Sequence, residues 1–268
     1  VVPAAADHSQ IFQLQFVSGR CHGGPPHVAT RACREHASAA VGQTNYDLGH
    51  VFGQLAGTGA SGVAFLAVTC DNFNFNGLGP IKGGGATRVG GTAGNSTALG
   101  VWVHELGHQF GANHNFNGTL GNCSGQRNPG TAHESGSGST IMGYSGTCGA
   151  DNITNVRDMR FHAGSYAEIT NYVINSTGAT CAVTSATGNN APTVNGGPDR
   201  TIPKNTPFTL MATGSDADAS DVPNLTYSWD QIDSGGTPYP QNGTSASYND
   251  AADPATSTRP IFRPLSVS

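Results

Sequence analysis

The chain has 268 residues, of which 36% are hydrophobic and 11% charged, with a net charge of −5. A typical soluble domain is about 25% charged, so this surface is built instead from Ser, Thr, Asn and the 38 glycines. Ten Arg and two Lys form no clustered basic patch, which argues against nucleic acid as the main partner, and no apolar run approaches the ~20 residues that span a bilayer.

No basic segment followed by an apolar stretch opens the sequence, so it reads as a mature form without a signal peptide. Residues 11–17 (IFQLQFV) alternate as a strand does. Residues 30–41 are Ala-rich and suit a helix. Residues 62–70 (GVAFLAVTC) form the strongest strand candidate, and residues 97–110 the clearest helix. Residues 113–149 are dense in Gly, Asn and Ser and are expected to be irregular, held by disulfides. A second helix is expected over 165–174, where Tyr166, Ile169, Tyr172 and Val173 recur at helical spacing. The composition changes near residue 182. All ten histidines lie at or before His162, and residues 182–190 have the polar character of a linker. Beyond it, residues 207–211 and 225–229 read as short β-like segments, the second alternating large apolar and hydroxyl residues. The expected organisation is one domain over 1–181, a linker over 182–190, and a small all-β module over 191–268. That module resembles an immunoglobulin-like or PKD-like sandwich, with about five strands where such a sandwich has ~7.

Six cysteines, Cys21, Cys33, Cys70, Cys123, Cys148 and Cys181, include no C-x-x-C pair. Dispersed and even in number, they fit structural disulfides and an oxidising, extracellular compartment. Six cysteines allow 15 connectivities, and spacing alone does not choose among them. Seven N-x-S/T triplets occur, which chance accounts for in a chain this rich in Asn, Ser and Thr.

Chemistry concentrates in His104-Glu105-Leu106-Gly107-His108. On a helix, positions i and i+4 share a face, so His104 and His108 can offer two nitrogens to one metal. Glu105 beside them can reach a water as general base. Gly111 lets the helix stop in a left-handed conformation, after which His114 can return to the same ion. Three imidazoles leave an open, catalytic coordination position rather than a closed structural one. The alternative, three surface histidines on an amphipathic helix, leaves Glu105 and the downstream Met142 unaccounted for. The remaining histidines, His8, His22, His27, His36, His50, His133 and His162, have no ligand spacing to one another.

Downstream comes Ser-Thr-Ile-Met142-Gly-Tyr144. With the extended histidine motif, it resembles the metzincin zinc peptidases, Met142 standing where their Met-turn lies beneath the metal. The resemblance covers residues 45–181 and is nearest the reprolysin-like branch in its secreted bacterial form. Residues 45–52 (NYDLGHVF), residues 62–70 and residues 139–148 support it. It implies an α/β (α+β) catalytic domain with a mixed sheet, a zinc helix and an irregular C-terminal subdomain. It further implies zinc on His104, His108 and His114, Glu105 as the base, and protein or peptide substrates. Gly62, Val63, Ala64, Phe65 and Leu66 would form the edge strand that pairs antiparallel with an extended substrate, and residues 143–149 a wall beyond the scissile bond. Similarity to reprolysins pairs Cys70 with Cys181 and Cys123 with Cys148, leaving Cys21 and Cys33 for each other. Three features depart from that branch. Asn115 stands where reprolysins carry Asp, Tyr144 is the residue of astacin-like and serralysin-like relatives, and few residues precede Asn45 for the family's first strands.

Tyr144 has two readings: a hydrogen-bond donor to the tetrahedral oxyanion, or an aromatic packing beneath the metal. Cys21, in Gly-Arg-Cys-His-Gly-Gly, is loosely similar to a cysteine switch, against a plain disulfide. The Asp-rich residues 215–221 (SDADASD) lack the EF-hand ligand pattern, and calcium stands beside zinc only as a candidate ion. The function expected is a secreted zinc endopeptidase, whose β-module binds substrate or a surface. The rivals are an inactive metzincin scaffold serving as a surface adhesin, and a metal-dependent hydrolase of non-peptide substrates.

Overall fold

The computed structural model describes residues 8–11, 14–18, 35, 38–53, 61–74, 77, 79–88, 95–203, 206–234 and 265–267. The proposed Cys21–Cys33 pair, and most of the helix expected over 30–41, lie outside them. Residues 38–41 are helical.

The strand expected over 11–17 is two strands with different partners. β1 (His8–Ile11) pairs antiparallel with β6 (Val183–Ala186), which lies in the expected linker. β2 (Leu14–Ser18) runs parallel to β3 (Leu48–Gly53). β5 (Gly85–Arg88) continues the parallel set, and β4 (Gly62–Ala64) adds antiparallel to β5, giving the order β2-β3-β5-β4. The sheet is therefore mixed, with β4 at its edge among the described residues.

α1 (Asn95–Gln109) packs across β5 and β4. Gly100, His104, Glu105, Gly107 and Gln109 are buried on it, a spacing that follows the 3.6-residue turn. Gln109 ties the helix to the sheet, bonding the His50 ring and the Gly49 carbonyl of β3. His50 also meets Thr87 of β5 at 2.9 Å, and burial lowers its pKa to about 4, so it stays neutral there.

The strand expected over 62–70 stops at Ala64. Ala67 and Cys70 have φ of 57° and 65°, which breaks the extended run. The chain leaves the sheet to meet the end of α1: the Ala67 N–H donates to the His108 carbonyl at 2.8 Å and the Val68 N–H to Gln109 at 3.0 Å. The Gln109 carbonyl, left over at the helix end, accepts from Val68 and Thr69, while the His108 carbonyl is shared between Ala67 and Gly111. The Phe65 N–H still bonds the Gly84 carbonyl, while Leu66 turns outward, 48% exposed.

α2 (Ala163–Asn175) covers the expected second helix. Its Ile169 packs with Phe161 and Val103 on a core of Ala112, Ile141 and Met142. Cys70 bonds Cys181 and Cys123 bonds Cys148. Between α1 and α2 the regular structure is confined to the 3-10 turns Gly121–Cys123 and Gly149–Asp151.

Beyond Cys181, β7 (Thr193–Asn195) pairs with β8 (Thr213–Ser215), and β9 (Tyr227–Trp229) with β10 (Leu265–Val267). Residues 207–211, expected as a strand, form none. Phe208, Leu210 and Met211 are exposed and no neighbour fixes an extended ladder there. Arg160 joins this region to the first through a bidentate bond to Asp230, at 2.9 and 2.7 Å.

Candidate metal centre and active site

α1 ends in a cap built on Gly111. The Ala112 N–H donates to Gly107 and the Gly111 N–H to His108, with Gly111 at φ 95°. This paired bonding needs a left-handed residue, which glycine adopts without strain. The turn aims the Ala112 carbonyl back at the helix, where it accepts from His108 Nδ1 at 2.7 Å. His104 Nδ1 donates to the Ile141 carbonyl at 2.7 Å, and His114 Nδ1 to the Gln126 carbonyl at 2.8 Å.

A carbonyl can only accept, so each imidazole carries its proton on Nδ1, and each Nε2 presents a lone pair. His108 Nε2 lies 3.1 Å from both His104 Nε2 and His114 Nε2. These contacts cannot be hydrogen bonds between neutral rings, because no proton remains to share. Three converging lone pairs call for a cation. Ligands 2.0–2.1 Å from a tetrahedral zinc stand about 3.3 Å apart, close to the spacing seen. The backbone carbonyls serve as the outer partners that orient metal-binding imidazoles. Burial lowers the pKa of all three, and repulsion from neighbouring imidazoles adds to it at His104 and at His108, which falls to about 3, so the rings are neutral at neutral pH.

Glu105 is 6% exposed, and its carboxylate lies against the start of β4: a Cβ on Gly62 would fall 2.5 Å from Glu105 Oε1. Burial pushes its pKa to about 8, opposed by the Arg157 guanidinium. A bound divalent cation beside it favours the ionised form.

Met142 is fully buried beneath α1, its sulfur packed where a side chain on Gly107 would stand. The turn that carries it also supplies the Ile141 carbonyl to His104, so it both supports and orients that ligand. Tyr144 packs against the His114 and Phe116 rings, with centroids 4.7 Å away in each case. Burial first, then the Glu105 charge, raises its hydroxyl to about 12, so it stays a proton donor at any physiological pH.

Beneath the turn lies a carboxylate that the motif analysis did not single out. Glu134, fully buried, accepts from the Ser139 and Thr140 N–H groups, the Thr140 hydroxyl and Asn115 Nδ2. Asn115 is thus a donor to this carboxylate rather than a carboxylate itself. The available signal was that Glu134 is one of four Glu in the chain and stands in a Ser/Gly run beside the Met-turn.

The sequence pattern of metallopeptidase family M12B, Reprolysin-like, matches residues 16–162. The chain belongs to that family. No curated protein matches it. M12B reprolysin-like enzymes normally use zinc and act on proteins or peptides, and the three-histidine set of this family member fits that ion. The two disulfides are compatible with an oxidising environment outside the cell. Among the described residues, no helix is long and apolar enough to cross a membrane.

The other sequence candidates stand apart from the site. His133 and His162 stack on each other at 5.3 Å, away from the metal cluster. Asp216, Asp218 and Asp221 bring their carboxylates within 4.8 Å of one another, but internal N–H and hydroxyl groups bond each of them, and nothing there supports calcium.

Proposed function

We propose that this chain is a secreted zinc endopeptidase of the bacterial reprolysin-like branch, with His104, His108 and His114 holding the metal and Glu105 as general base. The observation that carries the reading is the Nε2 cluster, with every Nδ1 committed to a carbonyl and a buried carboxylate alongside. Bound zinc supplies Lewis acidity, which brings the pKa of water toward neutrality and polarises the scissile carbonyl.

Glu105 takes a proton from the attacking water and delivers it to the leaving amine. Its burial beside β4 keeps bulk water from competing for that proton. The Tyr144 hydroxyl donates to the oxyanion, a bond that strengthens as charge develops. The outer edge of β4, continued by Phe65, binds the substrate backbone antiparallel, giving affinity with little side-chain preference. Residues 143–149, tied back by Cys123–Cys148, wall the cleft past the scissile bond. The residues beyond 190 form a separate β-rich module that binds substrate or a surface. Their exposed strands support that division.

Cleavage profiling on a peptide library, with a chelator and after zinc is restored, tests the reading. Zinc-dependent internal cleavage is expected. Binding without cleavage favours the inactive scaffold. Tyr144→Phe separates its two roles: loss of an oxyanion donor costs about 10²–10³-fold in kcat with KM little changed, whereas a packing role leaves kcat unmoved.

A further inference from the structure

Arg157 sits beside the reaction centre, within electrostatic reach of Glu105 and Tyr144. It is half-buried, and its positive charge is felt at Glu105, Tyr144 and His104. Among the described residues, its guanidinium makes no hydrogen bond and has no carboxylate within ion-pair distance. The guanidinium is partly withdrawn from water, which lowers its pKa, and its fork of N–H donors is not used up by the described residues. A charge kept in that state beside a cleft awaits an acceptor from outside.

The surroundings hold the side chain in place. Asp158 donates its N–H to the Ser139 carbonyl at 2.8 Å and accepts from the Ser139 hydroxyl, and the Ile141 N–H bonds the Arg160 carbonyl at 3.0 Å. The backbone that follows Arg157 is therefore pinned to the Met-turn. On α1, a Cβ at Gly100 would lie 2.9 Å from Arg157 Nη1. Glycine within a helix costs about 1 kcal/mol relative to alanine, and here it leaves room for the guanidinium one turn before His104.

The direction of β4 says which part of a substrate meets this charge. β4 starts at Gly62, against Val101 and Glu105, and the chain then runs toward the His108 end of α1. A substrate strand antiparallel to β4 passes the other way, so its C-terminal side lies toward Gly62, Val101 and Gly100. Arg157 stands at that end.

We propose that Arg157 selects a carboxylate side chain, Asp or Glu, on the residue that follows the scissile bond. The proposal rests on the peptidase reading and adds a substrate class to it. The guanidinium fork matches a carboxylate with two parallel N–H···O bonds.

The test uses peptide pairs that differ only by Glu or Gln after the scissile bond, chosen from the library profile. For the wild type, kcat/KM is expected to favour Glu by roughly 10- to 100-fold, the effect of one charge-assisted contact. Arg157→Gln should bring that ratio near one, Arg157→Lys should retain part of it, and Arg157→Glu should turn the preference toward Lys or Arg. Zinc content and melting temperature confirm that each variant is folded. A wild-type ratio near one, or a ratio unmoved in Arg157→Gln, overturns the proposal. A second arm measures binding of the same peptides to Glu105→Ala protein by calorimetry. If no peptide is cleaved at all, the peptidase reading fails while this arm still decides Arg157: equal affinity for the Glu and Gln peptides overturns it.

Discussion

Residues 113–162 and 182–234 are written in the same alphabet of Gly, Ser, Thr and Asn, and both are poor in regular structure. They end in opposite states. In the first, polar side chains are buried: Asn115, Asn117, Glu134, Ser135, Ser137, Ser139, Thr140 and Asp151 all lie at 1% exposure or less. In the second, no described residue is fully buried, and even its apolar side chains Phe208, Met211 and Ile232 face outward. The difference lies in what organises the backbone. The first region has buried carboxylates whose lone pairs collect loop N–H groups. Glu134 gathers those of the Met-turn, and Asp151 those of Thr119 and Leu120 at 2.7 and 3.1 Å. A loop satisfied in this way can be as rigid as a helix, which is what the proposed metal ligand His114 needs.

If the carboxylates organise the first region, removing one should have the largest effect. Glu134→Ala strands the donors of Ser139, Thr140 and Asn115 in a buried site, at about 1–3 kcal/mol each before relaxation. A loss on the order of 4 kcal/mol is expected, read by chemical denaturation, together with weaker zinc binding through the Ile141 carbonyl. A small loss would mean that the loop is held by something else.

The next effect concerns the covalent tie. Replacing Cys123 and Cys148 together by Ala frees a loop of sequence separation 25, and chain entropy puts that at about 3–4 kcal/mol. The same measurement checks it, with protease susceptibility in the 120s expected to rise.

The smallest effect lies at the contact between the two regions. Burial opposes ionisation of Asp230, but the Arg160 bonds, His162 and the Ala163 N–H outweigh it and hold the carboxyl below its ordinary value. The stabilisation is therefore complete above the ordinary Asp range near pH 4 and fades as pH falls through the lower folded value. Asp230→Asn should cost about 1–2 kcal/mol at neutral pH and abolish that pH dependence. Hydrogen exchange over residues 227–234 is the readout. Equal exchange in both proteins at pH 7 would remove the contact from the account.

The metal centre was legible because its chemistry is local. The i, i+4 pair, the helix-ending Gly111 and His114 lie within eleven residues of one another, and helix geometry with the turn at Gly111 brings them together. The end of β4 was not legible. Val68 and Thr69 have strand-like side chains, but their N–H groups are claimed by α1, which only the tertiary arrangement reveals. Glu134 and Arg157 act across gaps with no period, so no spacing announces them. The alternation of residues 225–229 does end in a strand, β9, whereas residues 207–211 form none, because nothing in the described structure covers a face there.

The central claim separates two kinds of residue on one helix turn, ligand and base, and one paired measurement addresses it. Zinc content and peptide hydrolysis are determined on Glu105→Ala and His114→Ala side by side. Glu105→Ala should retain one zinc per chain and lose turnover by about 10²–10⁴-fold. His114→Ala should lose the metal itself, because two ligands from one helix hold it poorly. Full turnover in Glu105→Ala, or zinc and activity both persisting in His114→Ala, would contradict the account.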